Sequence, residues 1–318
     1  MPLLTIFSAP KPFTNSHIAT IQRNAIRSWV QLGSEVAAVL IGQEEGLAEA
    51  AAELGVMYLP DVRRNSLGTP LVSSMFEMAR QAYPSPLLAC INADILVMPD
   101  FLAAAQQAAT NAADFLLVGQ RWDLDVPEEL DFSGGIRSAG GDWETRLRQR
   151  MRAKGSLHPR AGSDYFIFPR QCFVNIPEFA IGRAGWDNWM IYEARQQGWP
   201  TVDATGAIDI VHQAHDYSHL PNGQPHYRLP ETSENTRLAG GKRHIFHLID
   251  CDRQIADAKI SPYPLSWEKF WREVEIFPLV SLHSQWLGQA FFALFHPLRA
   301  YREFKTWMKV KVIWELPW

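Results

Sequence analysis

Cysteine is scarce in this sequence: Cys90, Cys172 and Cys251 are the only three, widely spaced and with no C-x-x-C pair. That excludes a disulfide framework and a cysteine-based zinc site, and it points to a reducing compartment. Neither charge sign dominates, because the net charge is only −4, so nucleic acid is not expected as a partner. No run of about 18 residues is apolar enough for a membrane span. The first residues show no basic region followed by an apolar stretch and a cleavage site. Internal repeats and low-complexity segments are missing as well. The expectation is a cytoplasmic chain, soluble or peripheral on the cytoplasmic membrane face, with one large core or two modest ones.

What is present, at least in the first third, is strand–helix alternation. Leu3–Phe7 reads as a strand that ends at Ser8-Ala9-Pro10. Asn15 or Ser16 is placed to cap a helix with apolar residues at Ile18, Ile21, Ala25, Trp29 and Leu32. Strands are expected at Glu35–Ile41 and Val56–Leu59, around a short helix, Leu47–Leu54, that Gly55 closes. A polar loop, Asp61–Gly68, leads to Thr69-Pro70, read as an N-cap with proline at the first helical position of Leu71–Tyr83. Such alternation with short connections specifies a sheet of largely parallel strands covered on both faces. Ligands in these sheets sit beyond the carboxyl ends of the strands.

The stretch Pro86–Phe101 organises the rest. An apolar strand, Leu87–Ile91, runs into Asn92-Ala93-Asp94, and a second apolar run, Ile95–Met98, precedes a helix opened by Asp100. A carboxylate at the end of a buried strand is costly unless something pairs with it. Two readings stand for Asp94: a ligand to a divalent cation shared with phosphates, or the cap of a local turn. Further along, Phe115–Val118 and Asp164–Pro169 read as strands, and the arginines of 146–152 as a solvated helix face. Asp187 is placed to cap a helix, Asn188–Gln197, after the loop 180–186. Ile208–Val211 is a last strand, leading into His212, His215 and His219. These histidines suit a metal or phosphate contact, or a polar surface turn. Residues 221–241 read as a polar loop.

In its order of motifs, roughly over residues 1–220, the sequence resembles the nucleotide-sugar glycosyltransferases of the GT-A fold, family 2-like. The hallmark Asp-x-Asp of that family is here Asn92-x-Asp94. The resemblance implies a Rossmann-like mixed α/β sheet flanked by helices over residues 1–250. It also implies transfer of a sugar from a nucleotide diphosphate to an acceptor hydroxyl, with Mn²⁺ or Mg²⁺ as cofactor. It makes Asp94 and His212 metal ligands, with His215 in reserve. Phe7, Ser8, Ala9, Asn65, Gly68, Thr69, Asn92 and Ala93 become donor contacts. Asp164, Tyr165 and Trp186 become acceptor contacts, with Trp189 as a second apolar face for a sugar ring. Gly185-Trp186-Asp187-Asn188 resembles the inverting pattern, which makes Asp187 the general base. As an anion at a helix start, Asp187 is expected to have a lowered pKa.

Two rivals remain. A nucleotidyltransferase would need a glycine-rich, lysine-bearing loop after the first strand, whereas Ser8-Ala9-Pro10-Lys11-Pro12 has the lysine without the glycine. A non-catalytic sugar- or lipid-binding protein on the same fold is compatible with Asn92. From Ser266 onward the composition changes: six of the twelve tryptophans lie at 267, 271, 286, 307, 314 and 318. Arg299, Arg302, Lys305 and Lys309 recur there at helical spacing. A helical extension over 262–318 is expected, serving as an interfacial helix on an anionic membrane or as packing against the core or a second subunit.

Overall fold

A computed structural model describes residues 1–132, 142–215, 229–256 and 259–315. A nine-stranded mixed sheet forms the centre. From one edge its strands are β3 (Met57–Leu59), β2 (Val36–Ile41), β1 (Leu4–Ser8), β4 (Leu87–Ile91), β9 (Tyr165–Pro169), β6 (Leu116–Val118), β10 (Thr201–Asp203), β12 (Arg253–Ala256) and β13 (Lys259–Pro262). Strand β9 runs antiparallel to β4 and β6, while β1 is parallel to β2 and β4. A four-stranded sheet lies beside it: β5 (Ile95–Leu96), β11 (Val211–Gln213), β7 (Trp122–Leu124) and β8 (Ser156–Leu157).

Two-residue periodicity sorts the core into two layers. Leu4 and Ile6, Ala38 and Leu40, Ala89 and Ile91, and Tyr165 and Ile167 pack on one face of the sheet with α1 (Ser16–Val30), α2 (Leu47–Leu54) and α4 (Pro99–Asn111). Phe7, Val39, Ile41, Leu88, Cys90, Phe166 and Phe168 pack on the other face with α3 (Val72–Ala82) and α6 (Trp186–Gln196). A third cluster joins the small sheet to α5 (Trp143–Lys154). All three cysteines are free and buried.

Several boundaries differ from the sequence reading. Thr69 does not cap α3, and Pro70 is not its first residue: the helix begins at Val72 with Leu71 as N-cap. Pro70 and Leu71 are instead held as extended backbone by bridges to Arg64 and Ala180. Asp187 is likewise not an N-cap. Gly185 holds that position at φ +111°, a conformation that favours glycine, and Asp187 lies in the first turn of α6. Residues 221–241 are not loop throughout, because α7 (Pro230–Leu238) occupies part of them, with Pro230 in its first turn. The short strands β7, β8, β10, β12 and β13 were not legible.

The C-terminal part is helical, as expected, with α8 (Trp267–Val280), α9 (Gln285–Phe295) and α10 (Pro297–Glu315). Helix α8 is bound to the body by charge. Lys269 Nζ donates to the carbonyls of Ile249 and Cys251 at 2.7 Å each, Arg195 makes a two-pronged pair with Glu273 at 3.0 and 2.9 Å, and Arg272 pairs with buried Asp250 at 2.6 Å. Among the described residues, no helix is long and apolar enough to cross a membrane.

Candidate active site and metal centre

The turn after β4 carries Asp94 to the carboxyl edge of the parallel strands, and buried Gln213 of β11 fixes it there. Gln213 Nε2 donates to the Asp94 carbonyl at 3.1 Å and to the Ile21 carbonyl at 2.7 Å, and the Gln213 amide also reaches the Asp94 carbonyl at 3.2 Å. This pairing brings His212 and His215 beside Asp94. One ligand atom from each of the three lies within 4.8 Å of the others. His212 is thus part of a strand, rather than of the turn after one.

Asp94 is buried, and its Oδ1 has no hydrogen-bond partner among the described residues. Its Oδ2 lies 3.0 Å from His215 Nε2 and 3.2 Å from the Lys11 ammonium, which itself stands 2.8 Å from that Nε2. Burial raises the Asp94 carboxyl, but Lys11, His215 and His212 outweigh it and hold the pKa well below the usual range. An ionised carboxylate with a free buried oxygen, beside two imidazoles, fits a divalent ion such as Mn²⁺ with coordination positions left open.

A second tier supports the first. His212 Nδ1 donates to Asp123 Oδ1 at 3.0 Å, which leaves Nε2 as its ligand atom, and His158 Nδ1 meets Asp123 Oδ2 at 2.7 Å. Burial raises the Asp123 carboxyl, and hydrogen bonds from His212, His158 and Arg121 push it far below its ordinary value instead. Arg121 also pairs with Asp164 Oδ2 at 2.6 Å, and Asn92 Nδ2 donates to Asp164 Oδ1 at 2.7 Å. Asn92 therefore serves Asp164. Arg121, Asp123, His158 and Lys11 belong to no motif in the sequence. The signal for 121–123 and for Lys11 is position, since each follows a core strand at the ligand-bearing edge; His158 has none.

Asp187 behaves unlike an ordinary helix-start anion. Burial pushes its pKa up, the backbone N–H groups of Asn188 and Gly185 pull it down, and nearby Asp164 raises it again, for a net value of about 6. The expected lowering by the helix dipole is overturned, since desolvation outweighs it.

Four expected aromatic contacts are buried in the core. Phe7 is fully buried, edge-on to Phe76 at 5.0 Å. Tyr165 is fully buried against Phe101, and Trp186 is buried against Phe166. Trp189 packs on Phe179 in the same layer. Each follows from strand or helix periodicity, which turns the aromatic side chain inward. Ser8 and Ala93 are buried too. Ala9, Asn65, Gly68, Thr69 and Asn92 remain accessible. Gly68 has φ +81°, a conformation that favours glycine, and no protein atom lies within 4 Å of where a Cβ would stand. His219 lies outside the described residues.

The loop beside these residues is latched. Asn65 Nδ2 and Arg183 Nε each donate at 2.6 Å to Glu231 of α7. Buried Asn235 receives the Ala180 amide at 2.9 Å and donates to the carbonyls of Ala180 and Arg183 at 3.0 and 3.3 Å. Helix α7 thereby fixes both the 61–70 and 180–185 segments.

No protein-family model matches the chain, and no curated protein matches it in sequence. Among solved structures it is similar to a mannosyltransferase from Pyrobaculum calidifontis in complex with GDP-Man and Mn²⁺. The identity is 13% and the TM-score 0.42, over 69% of this chain and 59% of the other. The chain thus spans less than two thirds of that enzyme. It is also similar to glucosyl-3-phosphoglycerate synthase from Mycobacterium tuberculosis in complex with Mn²⁺, UDP and glucosyl-3-phosphoglycerate. There the identity is 14% and the TM-score 0.43, over 84% and 88% of the two chains. Likenesses this distant assign no activity to the chain.

Proposed function

We propose that the chain is a metal-dependent, inverting glycosyltransferase of the GT-A type, taking its sugar from a nucleotide diphosphate. The observation that carries this reading is the convergence of Asp94, His212 and His215 at the carboxyl edge of the sheet, with Asp94 Oδ1 buried and unpartnered. These three residues would hold Mn²⁺ or Mg²⁺, which when bound supplies charge stabilisation to the leaving diphosphate. Ala9, Asn65, Gly68, Thr69 and Asn92 line the donor side.

On the acceptor side we assign Asp164, buried and oriented by Asn92 and Arg121, whose remaining lone pairs would accept a hydrogen bond from a sugar hydroxyl. Asp187 takes the proton from the attacking hydroxyl. A pKa near 6 leaves it ionised at neutral pH and a better base than an exposed carboxylate. In this reading residues 1–250 make the catalytic unit and 262–318 an appended helical segment.

Saturation-transfer NMR against a panel of UDP- and GDP-sugars, with and without Mn²⁺, tests the assignment. Binding of at least one donor, strengthened by the metal and lost in Asp94→Asn, is expected. A non-catalytic sugar-binding protein would bind sugars without nucleotide and without regard to metal.

A further inference from the structure

Among the described residues Lys11 has its ammonium against two of the clustered ligands, Asp94 and His215, and its placement is built rather than incidental. It stands between Pro10 and Pro12, whose rings restrict the backbone on either side. Its own peptide is clamped by buried Gln22: the Lys11 amide donates to Gln22 Oε1 at 2.6 Å, and Gln22 Nε2 donates to the Lys11 carbonyl at 2.9 Å. The backbone is thereby fixed, and the flexible four-carbon stem delivers the ammonium to Asp94 Oδ2 and His215 Nε2. The His215 Nε2 lone pair can serve the ammonium or a divalent ion but not both, and an imidazole nitrogen must lie about 2.0–2.1 Å from a Zn²⁺-sized ion; Asp94 Oδ1 is free for the ion, while Oδ2 is shared with the ammonium. The ammonium cannot remain where it is once such an ion enters.

We infer that Lys11 is the resident counter-ion of this site, and that an incoming divalent cation must displace its ammonium from Asp94 and His215. The inference rests on the reading of Asp94, His212 and His215 as metal ligands. Without metal, the ammonium neutralises a buried carboxylate that would otherwise be costly to desolvate. With metal, the partly exposed stem lets the ammonium swing clear while its tethered backbone keeps it nearby.

The test is Mn²⁺ titration by calorimetry and electron paramagnetic resonance, without nucleotide, on the wild type, Lys11→Met, Lys11→Arg and Asp94→Asn, with melting temperatures checking the fold. Lys11→Met is expected to bind Mn²⁺ at least about tenfold more tightly than the wild type, in line with the loss of one competing ion pair. Lys11→Arg should stay near the wild type, and Asp94→Asn should lose binding. If Lys11→Met binds no more tightly while the wild type does bind, the displacement is wrong and the metal centre stands. If neither protein binds Mn²⁺, both fall.

A separate observation concerns the C-terminal helices. Trp267, Trp286, Leu294 and Leu298 are each 73–76% exposed, and Trp271 of α8 meets Phe295 of α9 at 5.8 Å, so the outer faces of these two helices adjoin. On α10, Leu298, Tyr301 and Met308 recur at helical spacing and are exposed. Helix α10 carries Arg299, Arg302 and Lys305 against Glu303, in a chain whose net charge is −4. Glu303 is moreover taken by Arg243. An apolar, tryptophan-bearing face edged by cations complements an anionic lipid surface.

We propose that this face docks on an anionic bilayer, with α10 lying in the interface. Co-sedimentation of the full chain with vesicles of phosphatidylcholine, alone or mixed with phosphatidylglycerol, reads this directly. Binding to the mixed vesicles only is expected, reduced at least about tenfold in the double variants Trp286→Ser/Leu298→Ser and Arg299→Glu/Lys305→Glu. Absence of binding, or equal binding to neutral vesicles, overturns the proposal. A dimer seen by light scattering and lost in Trp286→Ser/Leu298→Ser would give the face to a second copy instead, and equally overturn it.

Discussion

Asp123 Oδ1 accepts a hydrogen bond from His212 Nδ1 at 3.0 Å, so a carboxylate that is not itself a clustered ligand sets the tautomer of one that is. Such an outer carboxylate orients the imidazole and raises its basicity as a ligand. Asp123→Asn should weaken Mn²⁺ binding by about 10- to 100-fold with the fold intact, read by calorimetry. Unchanged affinity would reduce Asp123 to a partner of His158 and Arg121.

The pKa of about 6 at Asp187 gives two pH-dependent readouts of opposite direction. A base must be deprotonated, so the transfer rate should climb as pH rises through about 6 and then level. Stability should move the other way. The folded pKa lies above the unfolded value, so the native state binds more protons between the two, and this group's contribution falls as pH rises from about 4 to about 6. Asp187→Asn should cut kcat by about 10²–10⁴-fold and remove that part of the pH dependence of stability, with donor binding near normal. A variant that keeps most of its rate would demote Asp187 to a structural residue of the α6 turn.

Asn235 should control the order of the 180–185 segment. Asn235→Ala leaves the Ala180 N–H and C=O without their partner, at about 1–3 kcal/mol for each buried group left unpaired. Faster hydrogen exchange through residues 180–185 and a lower melting temperature are expected. Exchange at the wild-type rate would show that other contacts suffice to hold the loop.

Gly119 is fixed by packing. A Cβ there would stand 2.3 Å from Tyr165 Oη and 3.1 Å from the Thr205 amide nitrogen, and Tyr165 is buried in the core. Gly119→Ala should cost about 1–3 kcal/mol, measured by denaturant unfolding. A neutral change would mean that the Tyr165 ring can move without loss.

Gly68 is a turn glycine at φ +81°, and no protein atom lies within 4 Å of where a Cβ would stand. Gly68→Val is accordingly expected to strain the turn, and any loss of nucleotide affinity would come through displaced Asn65 and Thr69. Nucleotide titration of the folded variant separates these effects.

The sequence by itself determined what depends on neighbours along the chain. Short apolar runs set β1, β2, β4 and β9, and periodicity with Asn15 and Gly55 set α1 and α2. A carboxylate after β4 and histidines at β11 marked where charge would gather. Only the tertiary structure decided which of these groups meet. Strand β9 runs antiparallel to β4 and β6 through pairings such as Ile91 with Tyr165 and Leu117 with Ile167, contacts between distant segments that no local pattern encodes. The pairing with β4 sets Asp164 against Asn92. The same holds for Lys11, which reaches Asp94 only because β1 and β4 are neighbours and Gln22 clamps the turn between. Aromatic residues such as Phe7, Tyr165 and Trp186 look identical in sequence whether they face a ligand or a core, and burial alone told them apart. The pKa of Asp187 is the sharpest case: its place in the first turn of a helix favours the anion, and desolvation by residues distant in the chain reverses the sign.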